Sequence, residues 1–306
     1  MKYFIVDGNY LLWRNVHKLK HLTNSDGFST GPTFGFLKSL HKYLEFGEPI
    51  VVFDGGRAKW REELYPEYKK RIKSPKVEGE EDTSKYFDCA FQILEELLPK
   101  MGIPTIKMAG QEADDVIFRL GQNIFNNGNK VTVISDDEDY LQMVSHGMEV
   151  FRAMKDEYYT LNNFSNYKEV SPNQFIFWKC LMGDDSDNIS GIKGIGPVAA
   201  TKIIKQLPDK QTSFFDIVGL INKDKLEDKN LIKLKENFNI FKRNLELMDL
   251  SRCKISNTEV QTAYIESQLQ SKPDFDFVVN KFKQLEFRTI SLWFIFVSEK
   301  LNNVRK

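Results

Sequence analysis

Cysteine is scarce in this chain, and histidine is nearly as scarce. The cysteines Cys89, Cys180 and Cys253 lie far apart and form no CxxC pair. Neither a disulfide framework nor a zinc site is expected, and a reducing, cytoplasmic setting is. His17, His21, His41 and His146 stand outside every acidic motif, so no histidine is assigned as a base. An excess of one charge is also missing. Lys plus Arg total 43 and Asp plus Glu total 43 in 306 residues, a net charge of zero. No global pull toward nucleic acid follows, but opposite charges can still be segregated locally. Long apolar runs are absent too, and the chain opens directly on a strand pattern. No membrane partner and no signal peptide are therefore expected.

What the chain does have is carboxylates at the ends of strands. Tyr3-Phe4-Ile5-Val6 is a short apolar run ending in Asp7-Gly8, and Ile50-Val51-Val52-Phe53 ends alike in Asp54-Gly55. Lys130 to Ile134 is a third such run, followed by Ser135-Asp136-Asp137-Glu138-Asp139. Gln111 to Ile117 opens a helix with Glu112, Asp114 and Asp115, more acid than a helix dipole needs. Strand and helix alternate to about residue 150, which predicts an α/β fold with a parallel central sheet flanked by helices. In such sheets ligands bind at the carboxyl ends of the strands. From Pro172 onward the pattern is mainly helical, so two domains are expected, 1–170 and 171–306. The apolar stretch Phe287–Val297 is expected to be buried.

Gly183 to Ile204 reads GDDSDNISGIKGIGPVAATKII. Asp184 and Asp187 precede a turn punctuated by Gly191, Gly194 and Gly196, with Pro197 just inside a helix start. Alone, the acids read as a solvated loop and the glycines as a plain helix corner. Together they suggest metal ligands tied to a phosphate-holding turn, since a helix start offers free N–H groups to an anion. An EF-hand fails, because Ile189 and Ile195 stand where Gly and Glu are required. A dinucleotide fingerprint fails as well, because no buried strand precedes the turn. Between about 57 and 85, Arg57, Lys59, Arg61, Lys69, Lys70, Arg71, Lys73 and Lys76 crowd together with Trp60, Tyr65 and Tyr68 interleaved. A solvated helix face is the bland account; the aromatics favour a segment that grips a single strand.

If the acids at Asp7, Asp54, Glu112/Asp114/Asp115, Asp137/Asp139 and Asp184/Asp187 converge, like charges cannot all stay ionised in a bare protein. All-oxygen ligation selects Mg²⁺ or Mn²⁺, and the number of carboxylates suggests two ions.

The motifs VDGNYLLWR, VVFDGG, YPEYKKR, GQEADDV, SDDEDYLQ and GDDSDNISGIKGIGPVAA occur in this order. On them the sequence resembles the 5′ nuclease superfamily. That superfamily includes flap endonucleases, the 5′-nuclease domain of bacterial DNA polymerase I and stand-alone bacteriophage 5′–3′ exonucleases of the ribonuclease H type. The resemblance covers roughly residues 1–207, with a weaker echo at Leu285–Arg288. It implies a PIN-like fold with a helical arch at about 57–85 and a helix-hairpin-helix variant at about 187–207. Asp7, Asp54, Glu112 and Asp114 resemble ligands of a first metal. Asp137, Asp139, Asp184 and Asp187 resemble those of a second, with Asp114 or Asp115 near both. Tyr68 and Lys69 resemble the arch-base pair, with the lysine on the scissile phosphate. Lys69, Arg71, Asp114 and Asp115 are the implied catalytic set. The implied nucleic-acid contacts are Arg14, Tyr68, Lys69, Lys70, Arg71, Lys73, Gly191, Lys193, Gly194, Gly196 and Lys202, with a K⁺ ion at the hairpin.

Two features depart from the family pattern. Ile72 stands where an arginine is usual, between Arg71 and Lys73, and Asp136 is an extra acid. The implied activity is Mg²⁺-dependent 5′–3′ exonuclease and flap endonuclease action by a monomer on flapped, nicked or RNA-primed duplex DNA in replication. Single-strand-binding protein and a sliding clamp are candidate partners, and a bacteriophage protein would act in the host cytoplasm. Rival readings are a non-catalytic structure-specific DNA-binding protein and a fold-related ribonuclease.

Overall fold

Three of the apolar runs ending in acid become neighbouring strands. The computed structural model describes residues 1–70, 81–166, 168–223 and 227–287. Its elements in chain order are β1 (Lys2–Asp7), α1 (Gly8–Leu19), α2 (Gly31–Tyr43), β2 (Glu48–Phe53), α3 (Lys59–Leu64), α4 (Ser84–Lys100), β3 (Thr105–Lys107), α5 (Ala113–Asn126) and β4 (Lys130–Ile134). Then follow β5 (Glu149–Arg152), β6 (Glu157–Tyr159), α6 (Pro172–Met182), β7 (Gly183–Asp184), β8 (Ile189–Ser190), α7 (Pro197–Ile204), α8 (Phe214–Ile221), α9 (Lys229–Glu236), α10 (Phe238–Met248), α11 (Asn257–Gln270) and α12 (Phe275–Gln284). No helix among the described residues is long and apolar enough to cross a membrane.

Contacts divide the described residues into two units. The first holds 1–56, 81–136 and 255–287; the second holds 57–70 and 137–254 with the gaps already given. The division differs from a single cut near residue 170, because the chain leaves the first unit and returns to it. Ser271 Oγ donates to the Ile103 carbonyl at 3.0 Å, and Asp274 N donates to the Lys100 carbonyl at 2.8 Å.

In the first unit the parallel order is β3-β2-β1-β4, with Ile5 opposite Ile50 and Val133. Phe4, Ile5 and Val6 are wholly buried, as continuous apolar runs in a parallel sheet must be. Each such side chain contributes roughly 1.5–3 kcal/mol. In the second unit β5 and β6 form an antiparallel hairpin, and β7 and β8 a short antiparallel ribbon. Gly183 and Gly191 make that ribbon possible. A Cβ on Gly183 would lie 2.3 Å from the Ile189 carbonyl oxygen, and one on Gly191 2.1 Å from that of Met182. After β4 the chain forms a tight 3₁₀ coil over Glu138–His146, begun by Asp137 accepting from Asp139 N. Phe287 is buried, while the rest of the apolar stretch to Val297 lies outside the described residues.

Candidate active site

In the first unit the carboxylates gather at the carboxyl edge of the sheet. Asp7 ends β1 and caps α1, its Oδ1 accepting from Tyr10 N at 3.0 Å. Asp54 lies just past β2, and its Oδ1 accepts from Ala113 N at 2.8 Å, which brings the start of α5 to the same edge. The strand-end loops are zipped by Gly55 N to the Gln111 carbonyl and Gly110 N to the Gly55 carbonyl, at 2.9 and 2.8 Å. Glu112 and Asp115 are buried, Asp114 is half-buried and Asp54 is exposed. Asp136, the extra acid, accepts from the Tyr10 hydroxyl. Burial, then this bond, pushes the Tyr10 phenol well above its ordinary range. Arg14 donates to the Tyr43 hydroxyl at 3.1 Å.

In the second unit Asp139 and Asp184 converge on one cation, the ammonium of Lys179. The distance to Asp184 is 2.8 Å, and Asp139 is in direct contact. Burial works to raise the Asp184 carboxyl, but Lys179 and Ser186 outweigh it and hold it below the usual range. Asp137 is exposed by surface area, yet the protein atoms crowding its carboxyl raise it; Lys179 opposes the rise and Asp184 adds to it. Asp187 Oδ2 lies 3.7 Å from Lys69 Nζ and accepts from the Tyr68 hydroxyl at 3.4 Å.

The first unit carries Asp7, Asp54, Glu112, Asp114 and Asp115, and the second carries Asp137, Asp139, Asp184 and Asp187. Among the described residues no three acidic, histidine or cysteine side chains are gathered closely enough to hold an ion by themselves. The donor chemistry nonetheless fits a hard divalent cation. Mg²⁺ is commonly held by one or two carboxylates, with waters and substrate phosphate completing its shell. Asp139 and Asp184 already share a cation in the ammonium of Lys179.

The segment from Arg57 to Lys70 corrects one expectation. Its aromatics do not stand fully open to solvent: Trp60 and Tyr65 are half-buried and Tyr68 is buried. Tyr68 is 2% exposed, packed with Ile189, Leu247 and Met248, and Tyr65 packs against the same cluster. Arg61 is buried beside Trp60 and donates to the Leu247 carbonyl at 2.9 Å. Hydrophobic burial outcompetes display to solvent for the tyrosine, while Arg57, Lys59 and Lys70 stay exposed. Lys70 is exposed and paired with Glu67 at 2.9 Å. Arg71, Ile72 and Lys73, with the rest of residues 71–80 of the expected arch, lie outside the described residues.

The glycine turn runs into α7 as expected, with Gly196 at the cap and Pro197 in the first turn. Lys193, Gly194, Gly196 and Lys202 are exposed, and Gly191 is half-buried within the ribbon. Gly194 takes the left-handed backbone, φ +79°, and its carbonyl accepts from Lys233 Nζ at 3.1 Å.

Comparison with known proteins decides the family. Residues 2–169 match the 5′-3′ exonuclease N-terminal resolvase-like domain, and residues 170–268 match the 5′-3′ exonuclease C-terminal SAM fold. The chain belongs to the 5′-3′ exonuclease family. Within that family it is 35% identical over 207 residues to a 5′-3′ exonuclease of Aquifex aeolicus, covering 66% of this chain and 68% of that one. It is 32% identical over 237 residues to DNA polymerase I of Bacillus subtilis, covering 74% of this chain but 26% of that one. Among solved structures, the 5′-exonuclease of T5 with bound zinc is 25% identical, with a TM-score of 0.67 over 89% of this chain and 98% of that one. The bacteriophage T5 flap endonuclease in a pseudo-enzyme–product complex with DNA and metal ions is 26% identical, with a TM-score of 0.64 over 98% and 100%. The fold of this exonuclease-family chain is thus a resolvase-like sheet domain followed by a helical SAM-like region.

Sequence reasoning missed Lys179, the cation that joins two of the acids. A lysine inside the apolar run Phe175-Ile176-Phe177-Trp178-Lys179-Cys180-Leu181-Met182 was the available signal, since burying an ammonium needs a partner. Asn244 was missed as well. It fastens the ribbon by donating to the carbonyls of Cys180 and Ser190 at 2.9 and 3.0 Å.

Proposed function

We propose that this chain is a Mg²⁺-dependent, structure-specific 5′–3′ exonuclease and flap endonuclease that hydrolyses phosphodiester bonds. The observation that carries the reading is the convergence of Asp139 and Asp184 on one cationic centre, with Lys69 set against Asp187 in the same unit. The set Asp7, Asp54, Glu112 and Asp114 would supply the one or two direct carboxylates of one divalent ion, and Asp137, Asp139, Asp184 and Asp187 those of a second, with waters and substrate phosphate completing each shell. Bound there, such ions would acidify a water and offset charge on the phosphate. Lys69 presents an ammonium for a non-bridging phosphate oxygen. The turn before α7 offers backbone N–H groups to a phosphate further along the duplex. Contacts of this kind select branched or nicked duplex by shape rather than by base sequence.

The substrates we propose are flapped, nicked and RNA-primed duplexes, and the role is primer or flap removal in replication. A potassium ion at the hairpin is not part of the proposal, because the Gly194 carbonyl is already held by Lys233.

Release of a labelled 5′ end from a flap duplex, with Mg²⁺ and with chelator, tests the reading. Metal-dependent release is expected, and no cleavage under either condition would sink it. Asp139→Asn and Asp187→Asn should abolish release yet keep duplex binding, whereas a protein that only binds DNA would be unmoved by either change.

A further inference from the structure

Asn188 follows Asp187 in the turn between β7 and β8, with a left-handed backbone at φ +57°. Its side-chain Nδ2 donates to the Glu67 carbonyl oxygen at 2.7 Å. In return, Lys69 N donates to the Asp187 carbonyl oxygen at 2.9 Å. These two bonds tie residues 67–69 to residues 187–188, with the buried Tyr68 between them as an anchor. Lys69 is itself left-handed, φ +50°, and its carbonyl accepts from Arg57 Nη2 at 3.2 Å. The lysine side chain therefore starts from a backbone fixed against the acidic loop, and its Nζ comes to 3.7 Å from Asp187 Oδ2.

We propose that Asn188 is a positioning residue for hydrolysis, holding Lys69 in register with Asp187. The inference rests on the function proposed above, in which Lys69 and Asp187 serve one phosphate. A lysine is a point charge on a flexible stem, so where its backbone is pinned decides where the charge can go. The residue type answers two demands at once. Left-handed backbone suits Asn, Asp or Gly. The Glu67 carbonyl already accepts from Lys70 N at 3.1 Å, so the tie to residue 188 is a second bond to it, whose donor Gly lacks and an ionised Asp cannot supply.

Single-turnover flap cleavage and duplex affinity, measured for Asn188→Gly, Asn188→Asp, Lys69→Ala and the Asn188→Gly/Lys69→Ala double variant, test this. Asn188→Gly keeps the turn and should lower the cleavage rate on the order of tenfold, the penalty of a small misplacement, with affinity unchanged. Asn188→Asp, which sets an acceptor against a carbonyl, should fall at least as far. In the Lys69→Ala background, Asn188→Gly should change the rate by less than about twofold, since its effect runs through the lysine. Thermal melts establish that each variant is folded at the assay temperature. An Asn188→Gly protein that cleaves like wild type overturns the proposal. So does a loss that adds in full to that of Lys69→Ala, or a melting-temperature drop with no change in rate. Wild-type protein that fails to cleave with Mg²⁺ refutes the underlying function instead, and the same assay reads it.

Discussion

Lys179 and Glu138 show how single charges govern the second unit. The Lys179 side chain is 9% exposed, and its ammonium is shared by two carboxylates. Lys179→Met leaves Asp139 and Asp184 facing each other uncompensated. Removing one member of a buried ionic group costs about 3 kcal/mol, so the metal-free variant should melt well below wild type. Added Mg²⁺ should recover more of that loss in the variant than it adds to wild type, which paired melts with and without the ion would show. Glu138 accepts from Arg152 at 2.7 Å and Lys168 at 3.1 Å. Burial works to raise its carboxyl, but these two cations win and hold it below the ordinary range. Its contribution is complete above the unfolded glutamate value of about 4.3, and fades as pH falls through the lower folded value. Glu138→Gln should therefore be less stable than wild type at pH 7 and should show a shallower acid limb. Urea titrations at neutral and acid pH would measure both.

The ribbon of β7 and β8 is the element that fixes the acidic loop. Gly183 is left-handed, φ +76°, and a Cβ there would run into the backbone of the facing strand. Gly183→Ala is expected to destabilise the fold by several kcal/mol, a backbone clash added to a strained φ. It should abolish cleavage even at temperatures where the far-ultraviolet circular dichroism stays native. The glycines here were legible as close-approach positions, but what approaches is the chain itself. Strands of two residues have no periodicity, so the ribbon leaves no trace in hydrophobic patterning. The long apolar strands β1, β2 and β4 were legible within a residue or two, because burial on both faces forces a continuous apolar run. The inward packing of Tyr65 and Tyr68 was not. An aromatic placed among cations reads the same whether it faces a ligand or covers Leu247 and Met248.

For the molecule as a whole, zero net charge and nucleic-acid binding are compatible if the contact charges are few and local. Lys69, Lys70, Lys193 and Lys202 are candidates among the described residues. About four phosphate contacts imply a slope near −3.6 for log affinity against log salt, at about 0.9 per contact. Flap binding at several potassium chloride concentrations would measure it, and a flat response would exclude these lysines as phosphate contacts. The return of residues 255–287 to the sheet unit could not be read from the sequence. Bonds such as Ser271 to Ile103 and Lys281 to Glu96, at 3.0 and 2.9 Å, join positions far apart in the chain and carry no local signature.

By itself the sequence determined the parallel sheet, the acids at its strand ends and the proline-started helix after the glycine turn. Local chemistry forces each of these: apolar runs must be buried on both faces, and a helix start tolerates the missing N–H of proline. Only the tertiary structure decided that Lys179 lies between Asp139 and Asp184, that Asn188 reaches Glu67, and that the aromatics beside Lys69 face inward. Those outcomes depend on which distant segments compete for the same buried space and the same hydrogen-bond donors, and that competition is settled only once the chain has packed.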